Sequence, residues 1–442
     1  MAQPNLTLND IAERVSDLTR QFSQVLANDG IQQPTLSPDS PTRYSDLTGE
    51  TLVLRQHLID SINDLSVLVQ GPSESIVNYC HNVMPDQACL SILNHFHFWF
   101  AVPLDHSASY EEISKYTKLP IEVVRRVLEH AVTLRLFSKA GPRGVKHTSR
   151  SAALTKESGL RAAVTTLLEE VGPPMTIMNQ TLRLHAFDKS ELSSGMDVTA
   201  FSLLHSGTLF GGKKYTSPWD FIENDGEGES KGWRQRSFAD FMSYIKDVFH
   251  FEDVVQAVYD WQGAGEIKVV DLGGSGGHDS VALARKFPNL NITVQDLPEA
   301  RLAFDANTPA ELKDRVTFMA HNFFEPQPVQ ADIYLIKLTL HDWPDAECLK
   351  ILRALVPSMR KGAKILFVDY VSKQETPDDL PLSIQQMGTS TDLRMLAMFN
   401  TEERLVKTWT GLFEAVDDRL AIIRVDANPL GFYAVIEAEW QE

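Results

Sequence analysis

Two stretches of this chain combine residue types and spacings that could do chemistry. The first runs from Lys268 to Gln295, a β-branched strand pattern followed by a glycine turn, a helix pattern and a second apolar run, with Asp296 immediately after it. Lys268–Leu272 is short and apolar, as a buried parallel strand is, and it stops at Gly273, Gly274, Gly276 and Gly277. Glycine lets a ligand approach the backbone closely, and the helical spacing of Val281, Leu283, Ala284 and Phe287 places unpaired N–H groups at the same turn. Asp296 ends the second strand about 20 residues on, where a carboxylate takes hydrogen bonds from ribose hydroxyls. A dinucleotide fingerprint needs G-x-G-x-x-G. Started at Gly274, it puts Asp279 in the third glycine position, against close helix packing and against a pyrophosphate. The D-x-G-G-x-G-G spacing from Asp271 therefore predicts a sulfonium nucleoside, S-adenosylmethionine, ahead of a dinucleotide or a bare structural turn.

The second stretch is Lys337-Leu338-Thr339-Leu340-His341-Asp342-Trp343-Pro344-Asp345, at the carboxyl end of a predicted parallel strand, where open α/β sheets place their ligand crevices. Imidazole, with an ordinary pKa near ~6.5, accepts a proton at neutral pH if its other nitrogen is held. Asp369, closing the next strand, and Glu403 beyond it are carboxylates within the same crevice by topology. The alternative is that His341-Asp342 caps the helix starting near Ala346, a job Asp345 after Pro344 already serves.

The elements that must position these residues follow from periodicity. From Glu266 onward strands at Lys268–Leu272, Asn291–Asp296, Val316–His321, Asp332–Leu340 and Lys364–Tyr370 alternate with helical stretches, the pattern of a doubly wound α/β sheet. Leu420–Asp426 and Phe432–Glu439, joined across Asn428-Pro429-Leu430-Gly431, read as a closing antiparallel hairpin. Upstream, Leu6–Leu26 is helical and Asn28–Thr48 is a Pro/Ser linker. Leu52–Val69 and Ser75–Leu104 are helical, the latter buried. Tyr110–Tyr116, Ile121–Thr133, Leu136–Ser138 and Val145–Thr148 make a helix-turn-helix with a β-wing. Gly207–Gly232 reads as a glycine-rich loop over a pocket. The predicted division is 1–70 arm and linker, 71–185 winged-helix unit, 186–250 connecting helices and pocket loop, and 251–442 catalytic domain.

Composition narrows the partner. The chain has 442 residues, 43 % hydrophobic and 23 % charged, with a formal net charge of −18. That balance disfavours nucleic acid and anionic membrane surfaces, both of which select basic patches, and leaves a small molecule. Ile121–Thr133 sets Arg125, Arg126 and His130 against Glu122 and Glu129, so a DNA-binding regulator lacks its basic recognition helix. Cys80, Cys89 and Cys348 have no metal spacing and fit structural thiols in a reducing cytosol, and no run is long enough to span a membrane. No metal site is expected.

Taken together, several motifs in order resemble the plant- and fungal-type S-adenosylmethionine-dependent O-methyltransferases of the caffeate and flavonoid kind. They are His147-Thr148-x-x-Ser151, the glycine turn, Asp296-Leu297-Pro298, His341-Asp342-Trp343-x-Asp345 and the hairpin, spanning Ser75 to the C-terminus. The resemblance implies a Rossmann-like catalytic domain and a homodimer through the winged unit. It also implies that Asp271, Gly273, Gly274 and Gly276 surround the methionine and ribose portions, Asp296 and Leu297 the ribose, Phe323 the adenine, and that Lys337 is a basic cofactor contact. His341 would be the general base, with Asp369 and Glu403 holding its ring. Phe238, Met242, Met395, Met398, Asp342 and Trp343 would line the acceptor. Asn322 stands where an acidic residue usually meets adenine, and Asp369 where glutamate is commoner. Some fungal relatives are instead pericyclases that keep the cofactor as a structural cation; Lys337 would then be the hydrogen-bond donor to a pyridone carbonyl.

Overall fold

The structure, a computed structural model, describes residues 6–44, 47, 49–190, 195–207, 212–249, 251–372, 380–428 and 433–442. These divide into two compact units, one holding the described residues up to Glu170 with those of 380–387, the other holding the rest.

In the first unit the helix Leu8–Asn28 opens on a capping box between Thr7 and Asp10. Helices Gly49–Gln70 and Pro72–His95 follow, separated at Gly71, whose φ of +77° only glycine adopts without strain. The expected buried helix Ser75–Leu104 is corrected in two ways. It stops at His95, because His97 turns to φ +57° before a short helix Phe98–Ala101. It is also largely exposed, since only Cys89, Leu93 and Asn94 are buried, while Ile76, Val77, Tyr79 and Met84 each lie more than half open to solvent. The core is Leu93, Phe98, Trp99, Ile113, Val124, Leu128, Phe137 and Val145. It is built from helices Tyr110–Thr117 and Ile121–Thr133 and the antiparallel strands β1 (Ala108–Ser109), β2 (Phe137–Lys139) and β3 (Gly144–His147), in the order β1-β3-β2. His147 is spent structurally, its ring bridging the Val102 carbonyl and Ser151 Oγ, each at 2.8 Å. On Ile121–Thr133, Arg125 is paired with Glu129 at 2.7 Å.

The second unit carries a seven-stranded sheet: β4 (Ile267–Leu272), β5 (Leu290–Asp296), β6 (Val316–Ala320), β7 (Ile333–Lys337), β8 (Lys364–Tyr370), β9 (Leu420–Asn428) and β10 (Tyr433–Trp440). The order is β6-β5-β4-β7-β8-β10-β9; the first five in that row are parallel, and β10 joins antiparallel to β8 and β9. Both faces are covered, and the period of two sorts side chains between them. Val270, Leu272, Tyr334, Ile336, Phe367 and Ile436 enter one core, whereas Val269, Ile292, Leu335, Leu366 and Val435 enter the other. Each fully buried Val, Leu or Ile contributes about 1.5–3 kcal/mol.

Two strand expectations are too long. The strand predicted to reach Leu340 ends at Lys337, because Leu338 takes φ +49° and the chain turns through a 3-10 segment, Leu340–Asp342. The strand predicted to reach His321 ends at Ala320. The pocket loop is also corrected. Within 207–232 the chain forms a helix, Pro218–Asn224, capped by Ser217 Oγ accepting from the Asp220 N–H at 3.1 Å, while 208–211 lie outside the described residues. Phe432 and the joining residues 429–431 also fall outside them. Among the described residues no helix is long and apolar enough to cross a membrane, and no group of side chains is arranged for a metal.

Candidate functional site

The glycine turn is a cradle that side chains would fill. Gly273 and Gly277 sit at φ +67° and +72°. A Cβ on Gly274 would meet Asp271 Oδ2 at 2.6 Å and Val294 Cγ1 at 2.8 Å; on Gly276, Asn307 Nδ2 at 2.6 Å; on Gly277, Phe304 at 2.8 Å. Asp271 is buried and accepts from Ser280 Oγ at 2.6 Å, so it braces the turn from behind. Gly273 faces Thr339 and Phe323, at 3.2 and 3.8 Å from where a Cβ would stand, which gathers three strand-end loops around one point. Asp296, half-buried at the end of β5, accepts the N–H groups of Ser275 (2.8 Å) and Leu297 (2.7 Å). Burial raises its carboxyl above the ordinary range against the pull of those two donors. A strand-end carboxylate, an aromatic edge and a turn that admits no side chain fit a nucleoside with ribose hydroxyls.

Two expected cofactor contacts have partners within the chain. Lys337 Nζ lies 2.7 Å from Asp279 Oδ1, both nearly buried. Asn322 is exposed and its Oδ1 takes the Phe324 N–H at 3.1 Å.

His341 is the centre of the second constellation. Its ring is buried, with Nδ1 3.2 Å from Glu403 Oε1 and Nε2 3.6 Å from Asp342 Oδ1. Asp369, expected on the ring, does different work. Its Oδ2 accepts the N–H groups of Thr339 (3.2 Å), Leu340 (3.0 Å) and His341 (3.3 Å), and Oδ1 takes that of Tyr370 (2.8 Å). It fixes the backbone that carries the histidine, and its capture of three successive N–H groups accounts for the strand stopping at Lys337. Cys348 adds a thiol 3.2 Å from the carbonyls of Leu340 and Trp343. Burial alone would lower the imidazole pKa; Asp342, Asp369 and Glu403 outweigh it and push it up to about 10. Burial, with Asp369 and Glu403, pushes Asp342 up to about 7. The helix after the motif begins at Asp345 with Pro344 as its cap position, so neither His341 nor Asp342 caps it, and Asp345 itself pairs with Arg404 at 2.7 Å.

Of the expected acceptor residues, Phe238, Met395 and Met398 come together around Phe201, Tyr215, Phe221 and Phe399. Met242 is half-buried on the same helix as Phe238. Trp343 lies apart from that wall, edge-on to Phe324 and Phe323 at 4.8 and 5.8 Å. Sequence reasoning missed three residues. Trp219, on the helix that replaces the loop, stands 6.0 Å from Phe238 and 5.7 Å from Phe399, ring to ring. Tyr370, one residue past Asp369, has its ring 5.2 Å from that of His341. Arg394 precedes Met395 on the helix Leu382–Phe399. The adjacency of Tyr370 to a strand-end aspartate was a readable signal; nothing local marked Trp219 or Arg394.

Residues 227–416 match the family model of an O-methyltransferase domain. The chain is 39 % identical to the O-methyltransferase lcsG of Purpureocillium lilacinum, over 99 % of this chain and 94 % of that one. Its fold is similar to the crystal structure of OxaC, with a TM-score of 0.76 at 20 % identity over 98 % and 99 % of the two chains. It is also similar to a structure titled a pericyclic reaction enzyme, with a TM-score of 0.65 at 19 % identity over 97 % and 100 %.

Proposed function

The chain belongs to the S-adenosylmethionine-dependent O-methyltransferase family, and from that premise we propose that it methylates a phenolic or enolic hydroxyl of a small aromatic or polyketide-type secondary metabolite, with His341 as general base. The observation that carries the reading is a buried imidazole clamped by Glu403 through Nδ1, with Nε2 facing Asp342.

When bound, S-adenosylmethionine supplies a methyl group already activated on a sulfonium. Asp296, Leu297, Phe323 and the turn at Gly273, Gly274 and Gly276, braced by Asp271, would hold it. The chain's remaining task is to align the acceptor and take its proton. A phenol with a pKa near ~10 is mostly protonated at neutral pH, so its O–H bond breaks toward Nε2 as the oxygen lone pair takes the methyl group. The three carboxylates keep a proton within the cluster, and the pair His341–Asp342 titrates as a unit. With His341 up at about 10 against about 7 for Asp342, the resting proton belongs to the imidazole, and Nε2 takes the acceptor's proton once its own has moved onto a carboxylate of the cluster. Phe238, Trp219, Met395 and Met398 supply an apolar wall for a flat ring.

A cyclase that spends no cofactor could use Lys337 as its donor, an ammonium that lies 2.7 Å from Asp279. Mass spectrometry tests the choice: the account expects one S-adenosylhomocysteine per product formed, and product without it would overturn methyl transfer.

The exposed apolar residues of Pro72–His95, with Val67 and Val69 before them, are more than an isolated chain normally leaves to water. They support a homodimer joined through the first unit, in a reducing cytosol where the three free cysteines persist. Light scattering should return twice the 49.5 kDa of one chain; the mass of a single chain would remove the dimer.

A further inference from the structure

Trp219 holds a buried hydrogen-bond donor that nothing receives. Its Nε1 is closed off from solvent and donates to no atom among the described residues. The fully buried tryptophans all use theirs. Trp99 Nε1 donates to Asn94 Oδ1 at 3.1 Å, Trp261 Nε1 to the Val255 carbonyl at 2.8 Å and Trp409 Nε1 to the Tyr370 carbonyl at 2.9 Å. A buried indole ordinarily finds such a partner, because a donor withdrawn from water and left unpaired costs free energy. The surroundings of Trp219 are apolar instead. Its ring centroid stands 6.0 Å from that of Phe238 and 5.7 Å from that of Phe399, and it packs against the cluster that holds Phe201, Phe221 and Met398. Phenylalanine offers no acceptor atom and a thioether only a weak one. The Tyr215 hydroxyl of the same cluster is turned to Asp225 Oδ1, 3.1 Å away.

We propose that Trp219 Nε1 donates a hydrogen bond to a carbonyl oxygen of the acceptor, which makes the acceptor a hydroxylated aromatic ketone, quinone or lactone rather than a simple phenol. This deepens the methyl-transfer reading and rests on it, since the wall that Trp219 shares with Phe238, Met395 and Met398 is there the acceptor's. The carbonyl is a second oxygen, distinct from the hydroxyl that gives up its proton. Its lone pairs lie in the plane of a flat conjugated molecule, where an N–H on the edge of an indole can meet them. An indole N–H is a neutral donor and nothing else, so it selects for an accepting oxygen and not for charge. Because that N–H is already dry before the acceptor arrives, the bond it makes is gained with no water lost from the protein's side.

The test is equilibrium binding, by calorimetry, to the full-length protein loaded with S-adenosylhomocysteine. The probes are two pairs matched in ring size and hydroxyl position and differing in the carbonyl: a hydroxyxanthone with its hydroxyxanthene, and a hydroxycoumarin with its hydroxychromene. The wild type should bind the carbonyl member of at least one pair about tenfold more tightly. Trp219→Phe keeps an aromatic ring without the donor, and should bring that ratio close to one while the carbonyl-free member binds as before. If Trp219→Phe no longer binds S-adenosylhomocysteine, benzothienylalanine incorporated in place of Trp219 removes the N–H and keeps the bicyclic shape. A wild-type ratio near one for both pairs, a ratio that survives loss of the N–H, or no binding of either carbonyl probe overturns the proposal. Because no methyl group is followed, a carbonyl preference that depends on Trp219 stands even if the transfer reading falls.

Discussion

Asp369→Ala is expected to lower the free energy of unfolding by about 3 kcal/mol and to displace the histidine with it. The carboxylate is fully buried and accepts four backbone N–H groups, three of them from the turn Thr339–His341. Each buried donor left unpaired costs about 1–3 kcal/mol. Part of that loss is offset, because burial, with Glu403 close by, already holds the Asp369 carboxyl above its ordinary range, so ionised Asp369 is itself under penalty. The balance still favours the carboxylate, since alanine accepts nothing and Asp369 Oδ2 is the acceptor all three turn N–H groups use. Asp369→Asn keeps one acceptor oxygen and should lose less than half as much. Urea unfolding of the three proteins checks this; a midpoint unmoved in Asp369→Ala would mean that the turn is held by its packing alone.

How much of this was legible in the sequence can be followed residue by residue. The sheet was, because Val269-Val270-x-Leu272 and Ile333 to Ile336 are short, mostly apolar runs of the kind a strand covered on both faces carries. The glycine turn was, because three of its positions have no room for a Cβ and a fourth needs positive φ. His341 and Glu403 were brought together as expected. Strand ends were not legible: Lys337 to Leu340 looks like continued strand, and only Asp369, drawn in from the next strand, turns the chain there. Asp369 was assigned to the ring because spacing reveals that two groups share a crevice but not which atoms face each other. The exposure of Pro72–His95 was invisible for a different reason. An apolar helix face reads the same whether its own chain covers it or another surface does. Trp219 hid in a segment whose glycines suggested a loop, although Ser217-Pro218-x-Asp220 is a sound helix start.

His341→Ala is expected to cut methyl transfer by roughly 10²–10⁴-fold, the usual contribution of a positioned general base. The site is built so that little else can replace it. Glu403 and Asp342 face the ring, Glu403 buried with it and Asp342 nearly so. Removing the ring takes the positive charge away from buried Asp369 and Glu403 and from the nearly buried Asp342, so some stability will be lost as well. The side-chain bonds of the nucleoside cradle run from Asp296 to the N–H groups of Ser275 and Leu297 and from Asp271 to Ser280, away from His341. Loss of the base is thereby separable from loss of the fold. Turnover and S-adenosylhomocysteine affinity, measured on one preparation of His341→Ala, test the account most directly. It predicts transfer reduced at least a hundredfold with affinity for the nucleoside kept; transfer at the wild-type rate by a variant that still binds the nucleoside would contradict it.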